Sequence, residues 1–442
     1  MARYFGVPLR NGLPIGLGAS LALGKQAGGI PPSPSADALL QEDGTSFFYL
    51  QNNSGYLLLE GLMPTLWLDF QNSTSLDSRI TFTRASTATY FNSSGVLTTA
   101  ASGAARFDYN PSTLQPLGLL IEEQRTNSFP NSNDFSNATY WTVYGTAVAT
   151  GSAAVGPDGL TSASNLAGAT DTTLSGNNLE ESVSISASTA YTFSVFVKSN
   201  GGTEVVLRLR DSTGGSTSSV TLAVTSAWQR VSLTRTMAVG ATSVRCIIGQ
   251  TNGNILIYGA QLEAGAFATS YIPTTTTALT RNADVASMTG TNFSSWYNAS
   301  EGTIFADFQV PFDSSASIFP VAAMMTDGTF NNSISSCIRT VDDSSRFFVR
   351  ILGVTEADIT AGTSYVYGSF RKQAAAYALN NCAMSVNGSS VGTDSTVAIP
   401  TVDRMILGNG IGGSLNTLNG TIRRIAYYPT RLPNSTLQAL TA

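Results

Sequence analysis

Histidine is absent from all 442 residues. That one absence removes Ser-His-Asp and Cys-His nucleophilic catalysis, imidazole metal ligation and histidine-based pH switching together. Charge is scarce as well: Asp, Glu, Lys and Arg make up 12% of the chain, against roughly 25% in an ordinary soluble protein. Ser, Thr, Asn and Gly take their place. Long solvent-exposed helices need Lys- and Glu-rich faces, so this mixture favours sheets with polar, uncharged surfaces. The fold class is all-β. A formal net charge of −5 without clustered Lys or Arg argues against binding to a phosphate backbone, and no nucleic-acid partner is expected.

Cysteine is limited to Cys246, Cys337 and Cys382, far apart and each in an apolar, strand-like context. With no Cys-x-x-Cys spacing they read as buried free thiols. No apolar run reaches the ~18 residues of a membrane-spanning helix, so no membrane insertion is expected. The stretch GLPIGLGASLALGKQA after Asn11 is broken by Gly12, Pro14, Gly16 and Gly18 and closes on no clear cleavage box, so it is not read as a secretory signal. Asp342-Asp343 and Asp327-Gly328 lack calcium-loop spacing and read as turn residues, and the glycine-rich 408–413 lacks the lysine and helix of a phosphate loop. No metal and no cofactor is expected.

What remains is organised along the chain. Residues 1–62 read as an extended arm: a stiff Pro31-Pro32-Ser33-Pro34-Ser35 spacer, then three short apolar strands within 39–44, 47–51 and 56–60 separated by Asp43-Gly44 and Ser54-Gly55 turns. A meander this small and apolar needs a partner, whether copies of itself, a larger particle or the next domain. Residues 63–285 show period-two alternation at 192–197, 204–209 and 255–258, punctuated by Gly201-Gly202 and Gly214-Gly215, which suits a two-sheet jelly roll. Residues 286–442 read as a second sandwich. It has an opening strand over 302–310, a strand over 373–379 against the helical propensity of Ala374-Ala375-Ala376, and a hairpin turn at Asn387-Gly388. Strands at 405–408 and 420–428 and a short helix over 432–442 complete it.

The most informative phrase is RFDYNPSTLQPLGLLIEEQRTN, Arg106 to Asn127. Arg106 to Tyr109 alternates charge with aromatic residues, Asn110-Pro111-Ser112 turns the chain, and Gly118 to Ile121 is a buried strand. Glu122-Glu123-Gln124-Arg125 reads as its charged exit at a sheet rim. The phrase resembles a recurrent block in tailed-bacteriophage fibre and spike proteins. The resemblance continues through FTRASTATY at 82–90 and NSSGVL at 92–97 upstream, then Pro157-Asp158-Gly159, YTFSVFVK at 191–198, Trp228-Gln229-Arg230-Val231, GAQLE at 259–263 and TSYIPT at 269–274. These cover most of 63–285 in order. The C-terminal sequence of opening strand, Asn-Gly hairpin, Leu-Gly strand and a strand ending in Tyr427-Tyr428 resembles concanavalin A-like and laminin-G-like domains.

The resemblance implies a virion surface protein, a head or tail fibre or spike, assembled in the bacterial host cytoplasm. It implies a homo-oligomer, in particular a trimer, bound to capsid or tail proteins through the arm and to host surface polysaccharide through the sandwiches. It is not expected to be an enzyme. Two rival readings stand beside adhesion: a purely structural decoration, and a polysaccharide depolymerase. Sugar rings offer apolar faces and many hydroxyls, so a binding platform needs aromatic rings beside amides and carboxylates. Tyr140-Trp141 and Trp296-Tyr297 are the candidate carbohydrate-binding pairs, with one member of each expected in the core because adjacent strand residues face opposite ways. Trp67 and Trp228 read as core. Cleavage would need two carboxyl groups about 5–10 Å apart, for which Glu122-Glu123 and Glu180-Glu181 are the available acid pairs.

Overall fold

The computed structural model describes residues 38–40, 47–50, 57–58, 63–170, 176–214, 217–313, 319–411 and 416–442. The chain divides into two units, residues 1–64 and 65–442. In the first, Ala38–Leu40, Phe47–Leu50 and Leu57–Leu58 pair in that order as an antiparallel meander, with Leu39 opposite Phe48 and Tyr49 opposite Leu58. The Pro31–Ser35 spacer and the rest of the arm lie outside the described residues.

The second unit holds two sandwiches. The jelly roll packs two five-stranded sheets. One runs Thr142–Val143, Leu179–Ser184, Ser243–Gln250, Glu204–Asp211, Thr217–Ala223; the other Val148–Val155, Thr161–Ala167, Asn254–Ala264, Ala190–Ser199, Gln229–Thr236. Period-two alternation sends Phe193, Val195 and Val197 inward to meet Leu207, Leu209 and Ile248. The other face of that strand is covered too: Phe196 packs with Tyr258, Tyr271 and Leu97.

The larger sandwich has a seven-stranded sheet, Val354–Ala361, Ser344–Ile351, Ser333–Arg339, Val321–Thr326, Arg404–Leu407, Val285–Thr289, Thr81–Thr83. Facing it is an eight-stranded sheet. Its path runs Gly392–Asp394, Cys382–Val386, Phe370–Ala378, Glu301–Gln309, Gly420–Tyr428, Pro116–Ile121, Phe107–Tyr109, with Leu66–Asp69 also paired to Gly420–Tyr428. Phe370–Ala378 is a strand despite its alanines, because it is the central partner of Glu301–Gln309 along nine register pairs. The C-terminal helix spans Asn434–Thr441.

A division of the sandwiches at residue 285 is not how the sheets divide. Four strands from the first half of the chain complete the C-terminal sandwich, placing Leu68 opposite Ile425 and Leu119 opposite Ile422. Leu66, Leu68, Leu119 and Ile121 lie in one apolar cluster with Phe308, Ile422 and Ile425. The physical reason is coverage: Glu301–Gln309 pairs with one edge of the long strand Gly420–Tyr428, and Leu66–Asp69 and Pro116–Ile121 share the other edge, which would otherwise lie open. The jelly roll is thus an insertion. The chain leaves the larger sandwich through Arg125–Asn127 and returns through Leu279–Arg281, and these two strands pair antiparallel as a stem. One glycine is needed for the completed sheet: Gly118 has φ +105, and a Cβ there would lie 2.1 Å from the Ile422 carbonyl oxygen.

Candidate functional site

The charged exit at Glu122 is buried, contrary to the sheet-rim position expected of it. It opens an ionic hub at the root of the stem. The Asp284 carboxylate accepts from Arg84 Nη1 at 2.9 Å, Arg106 Nη2 at 2.5 Å and the Glu122 N–H at 2.9 Å. Glu122 accepts from Ser270 N–H at 2.7 Å and Ser270 Oγ at 2.6 Å, and faces Arg106 at 2.8 Å and Arg281 at 3.4 Å. Burial alone would raise the Glu122 pKa; the Arg281 and Arg106 charges and the Ser270 hydrogen bonds outweigh it and hold it at about 2.

A second network ties the same region to the jelly roll. Glu263 accepts from Gln261 Nε2, Thr269 N–H and Thr269 Oγ1 at 2.7, 2.8 and 2.7 Å, and Asn127 Nδ2 donates to the carbonyls of Ala260 and Ile272. Arg84, Arg106, Glu122, Gln261, Glu263 and Ser270 therefore converge from four separated sequence motifs. Four of the phrases that carry the fibre-and-spike resemblance, at 82–90, 106–127, 259–263 and 269–274, thus meet in one polar joint.

Above the hub, between the sandwiches, lies a cleft of about 230 Å³. Its walls are aromatic: Tyr90, Phe91, Phe196, Tyr271, Phe267 and Phe312. Phe312 is 40% exposed and stacks on Phe267, centroids 5.4 Å apart. Polar groups reach the same space from Asp108, Glu122, Arg230, Gln309 and Asn419. Register sets Arg230 directly opposite Phe196, which places its guanidinium 5.3 Å from the ring centroid. Its Nη1 donates to the Thr269 carbonyl and its Nη2 to Ser194 Oγ at 2.9 Å. Asp108 accepts from the Phe91 N–H at 2.8 Å. Burial pushes its pKa up to about 6, against the Phe91 hydrogen bond and the Arg106 charge.

The four residues picked from sequence lie elsewhere. Trp141 is 1% exposed, packed between Phe129 and Phe135, with Nε1 donating to the Asn131 carbonyl at 3.0 Å. Trp296 is 3% exposed, against Phe293 and Tyr427, with Nε1 on the Asn292 carbonyl. Neither ring has a free face for a sugar, which corrects both as platforms. Tyr140 is half-buried on the jelly-roll core and Tyr297 stacks on Phe293 at 4.5 Å. None of the four lines the cleft. The acid pairs separate as well: the Glu123 carboxylate pairs with Arg125 at 2.5 Å and that of Glu122 with Arg106 and Arg281, and Glu180 pairs with Arg245 at 3.4 Å while Glu181 turns inward. The cleft residues were present in the sequence as Asp108 of the RFDY phrase, Arg230 of the Trp-Gln-Arg-Val phrase and Tyr271 of TSYIPT. Strand alternation gives which face each residue occupies, not that three distant faces meet.

Among the described residues no group of three or more His, Cys, Asp or Glu side chains is placed to hold a metal ion, and no helix is long and apolar enough to cross a membrane. Cys246, Cys337 and Cys382 are buried free thiols.

No protein-family model matches the sequence, and the comparison with curated proteins gives no match. Partial likenesses to solved structures exist. The CBM40 domain of Ruminococcus gnavus IT-sialidase, bound to α2,6-sialyllactose, is 17% identical over 34% of this chain and 88% of that one, TM-score 0.29. A heptameric SAP-like pentraxin of Limulus polyphemus is 12% identical over 33% and 70%, TM-score 0.25. The enzymatically active domain of bacteriophage CBA120 tailspike protein 4 is 16% identical over 31% and 21%, TM-score 0.25. At these scores the likeness carries no argument about function.

Proposed function

We propose that this chain is a surface fibre or spike protein of a tailed bacteriophage that adheres to host glycans through the inter-sandwich cleft. The observation that carries the reading is the cleft's composition: six aromatic side chains around two carboxyls, a guanidinium and two carboxamides, which matches the apolar faces and hydroxyl edges of a sugar. The sequence block from 82 to 274 supplies the fibre-and-spike part of the proposal, and the meander of residues 38–58 the attachment and oligomerisation part. A trimer would present three clefts, so weak single contacts would sum to firm retention.

Adhesion is preferred to cleavage for a local reason. Two carboxyls line the cleft, Asp108 and Glu122, and Glu122 is held by two arginines and Ser270. Hydrolysis needs a second carboxylate free to act. The test uses full-length protein, host cells and their extracted surface polysaccharide, scoring retention and release of short sugars. Phe312→Ala, at the exposed rim, is expected to weaken retention about tenfold, as for loss of one aromatic contact. Sugar release would replace adhesion with depolymerisation; undiminished retention by F312A would move the site away from the cleft.

A further inference from the structure

The cleft's charges are arranged unevenly. Beneath it, Arg84, Arg106 and Arg281 form ion pairs with Asp284 and Glu122, and the Glu263 charge also reaches Arg281. Arg230, at the cleft wall, forms no ion pair among the described residues; its partners are a carbonyl and a hydroxyl. Those bonds use two of its five N–H groups. The carboxylates whose charge acts on it are Glu263 and Glu122. Glu263 is occupied by Gln261 and Thr269, and Glu122 by the hub. A desolvated guanidinium stacked on an aromatic ring, without its own carboxylate, is suited to accept one from a ligand.

We infer that the cleft takes a sugar residue bearing a carboxylate, a hexuronate or similar acidic sugar, with the carboxylate at Arg230 and the ring against the aromatic wall. The inference rests on the glycan reading above and narrows it to acidic saccharides. The volume of about 230 Å³ falls below the roughly 300–1,000 Å³ of sites for drug-sized ligands, so the cleft admits one ring of a chain rather than a long segment. Asp108 opposes this ligand. The groups facing it are the Phe91 N–H, Arg106 and Glu122. Glu122 is held ionised far below neutral pH, so Asp108 is the member that titrates between pH 5 and 8. Its protonation removes a repelling charge and adds a donor.

The test is calorimetric titration of the full-length protein with oligomers from polygalacturonate, alginate and hyaluronate, beside neutral galactan and cellulose fragments, at pH 5.5 and 8. A hexuronate is expected to bind about tenfold or more tighter than the neutral fragments, and tighter at pH 5.5 than at pH 8. Asp108→Asn is expected to raise uronate affinity at pH 8 and flatten its pH dependence. Arg230→Gln is expected to reduce uronate binding to the neutral level. Should R230Q fail to fold, D108N alone decides, because a carboxylate-free ligand would not respond to it in this direction. Neutral fragments binding as tightly as uronates would overturn the acidic-sugar inference and leave glycan adhesion standing. No binding by any oligomer, while cells and extracted polysaccharide are still retained, would overturn the inference and the cleft together.

Discussion

At the scale of single residues, the molecule uses buried carboxyls in opposite ways. Glu122 keeps its charge because two arginines and Ser270 meet it. Glu181 has no such company: it is 4% exposed, lies opposite Cys246 in the jelly-roll sheet, and its Oε2 has no hydrogen-bond partner. Burial pushes its pKa up to about 8. Since the unfolded chain ionises near 4.5, stability falls as pH rises from about 4.5 to about 8 and then levels, the unfolded state losing its proton first. Glu181→Gln should abolish that fall and be the more stable protein at pH 7 by about 3 kcal/mol, measured as urea midpoints across pH. Equal slopes in both proteins would show that the carboxyl is not desolvated. Neither behaviour could be read from the adjacent pairs Glu122-Glu123 and Glu180-Glu181. Adjacency gives alternate faces; whether a face meets arginines or leucines depends on strands a hundred residues away.

At the scale of elements, periodicity carried far. The three-strand meander and the strand over 373–379 follow from alternation and turn residues, and the C-terminal helix falls within the expected 432–442. The helix begins at Asn434, with Pro433 as its cap. What periodicity does not encode is which sheet a strand joins. Leu66–Asp69 has the alternation of any half-buried strand and Pro116–Ile121 the apolar run of any buried one, yet both lie against Gly420–Tyr428, some three hundred residues later. Gly118 is the point where that pairing is sterically exacting. Gly118→Ala should cost on the order of 3 kcal/mol through strain and overpacking, read as a lowered Tm. An alanine tolerated without loss would mean that the Pro116–Ile121 strand does not approach Ile422 this closely.

At the scale of the whole molecule, the hub joins two sandwiches that each have a core of their own. Phe91 and Leu97 from the hairpin Ala88–Phe91 and Leu97–Ala100 also pack on Phe196 and Tyr258 of the jelly roll. Residues 65–442 should therefore unfold in one calorimetric transition near neutral pH. Glu122→Gln, which leaves Arg106 and Arg281 short of an anion, should cost about 3–5 kcal/mol and separate that transition into two. Acid should do the same to the unaltered protein: the Glu122 contribution is complete above about 4.5 and is lost as pH falls toward 2. Two transitions in the unaltered protein at neutral pH would show that the joint does not couple the sandwiches. The stem has a consequence for inheritance. Arg125–Asn127 and Leu279–Arg281 are neighbours, so the segment between them begins and ends at one place. A pair of genetic crossovers flanking that ladder would exchange the whole inserted sandwich, and with it the Arg230 side of the cleft, without shifting the register of any strand in the recipient sheets. Binding preference could then be traded between related genes as a single cassette.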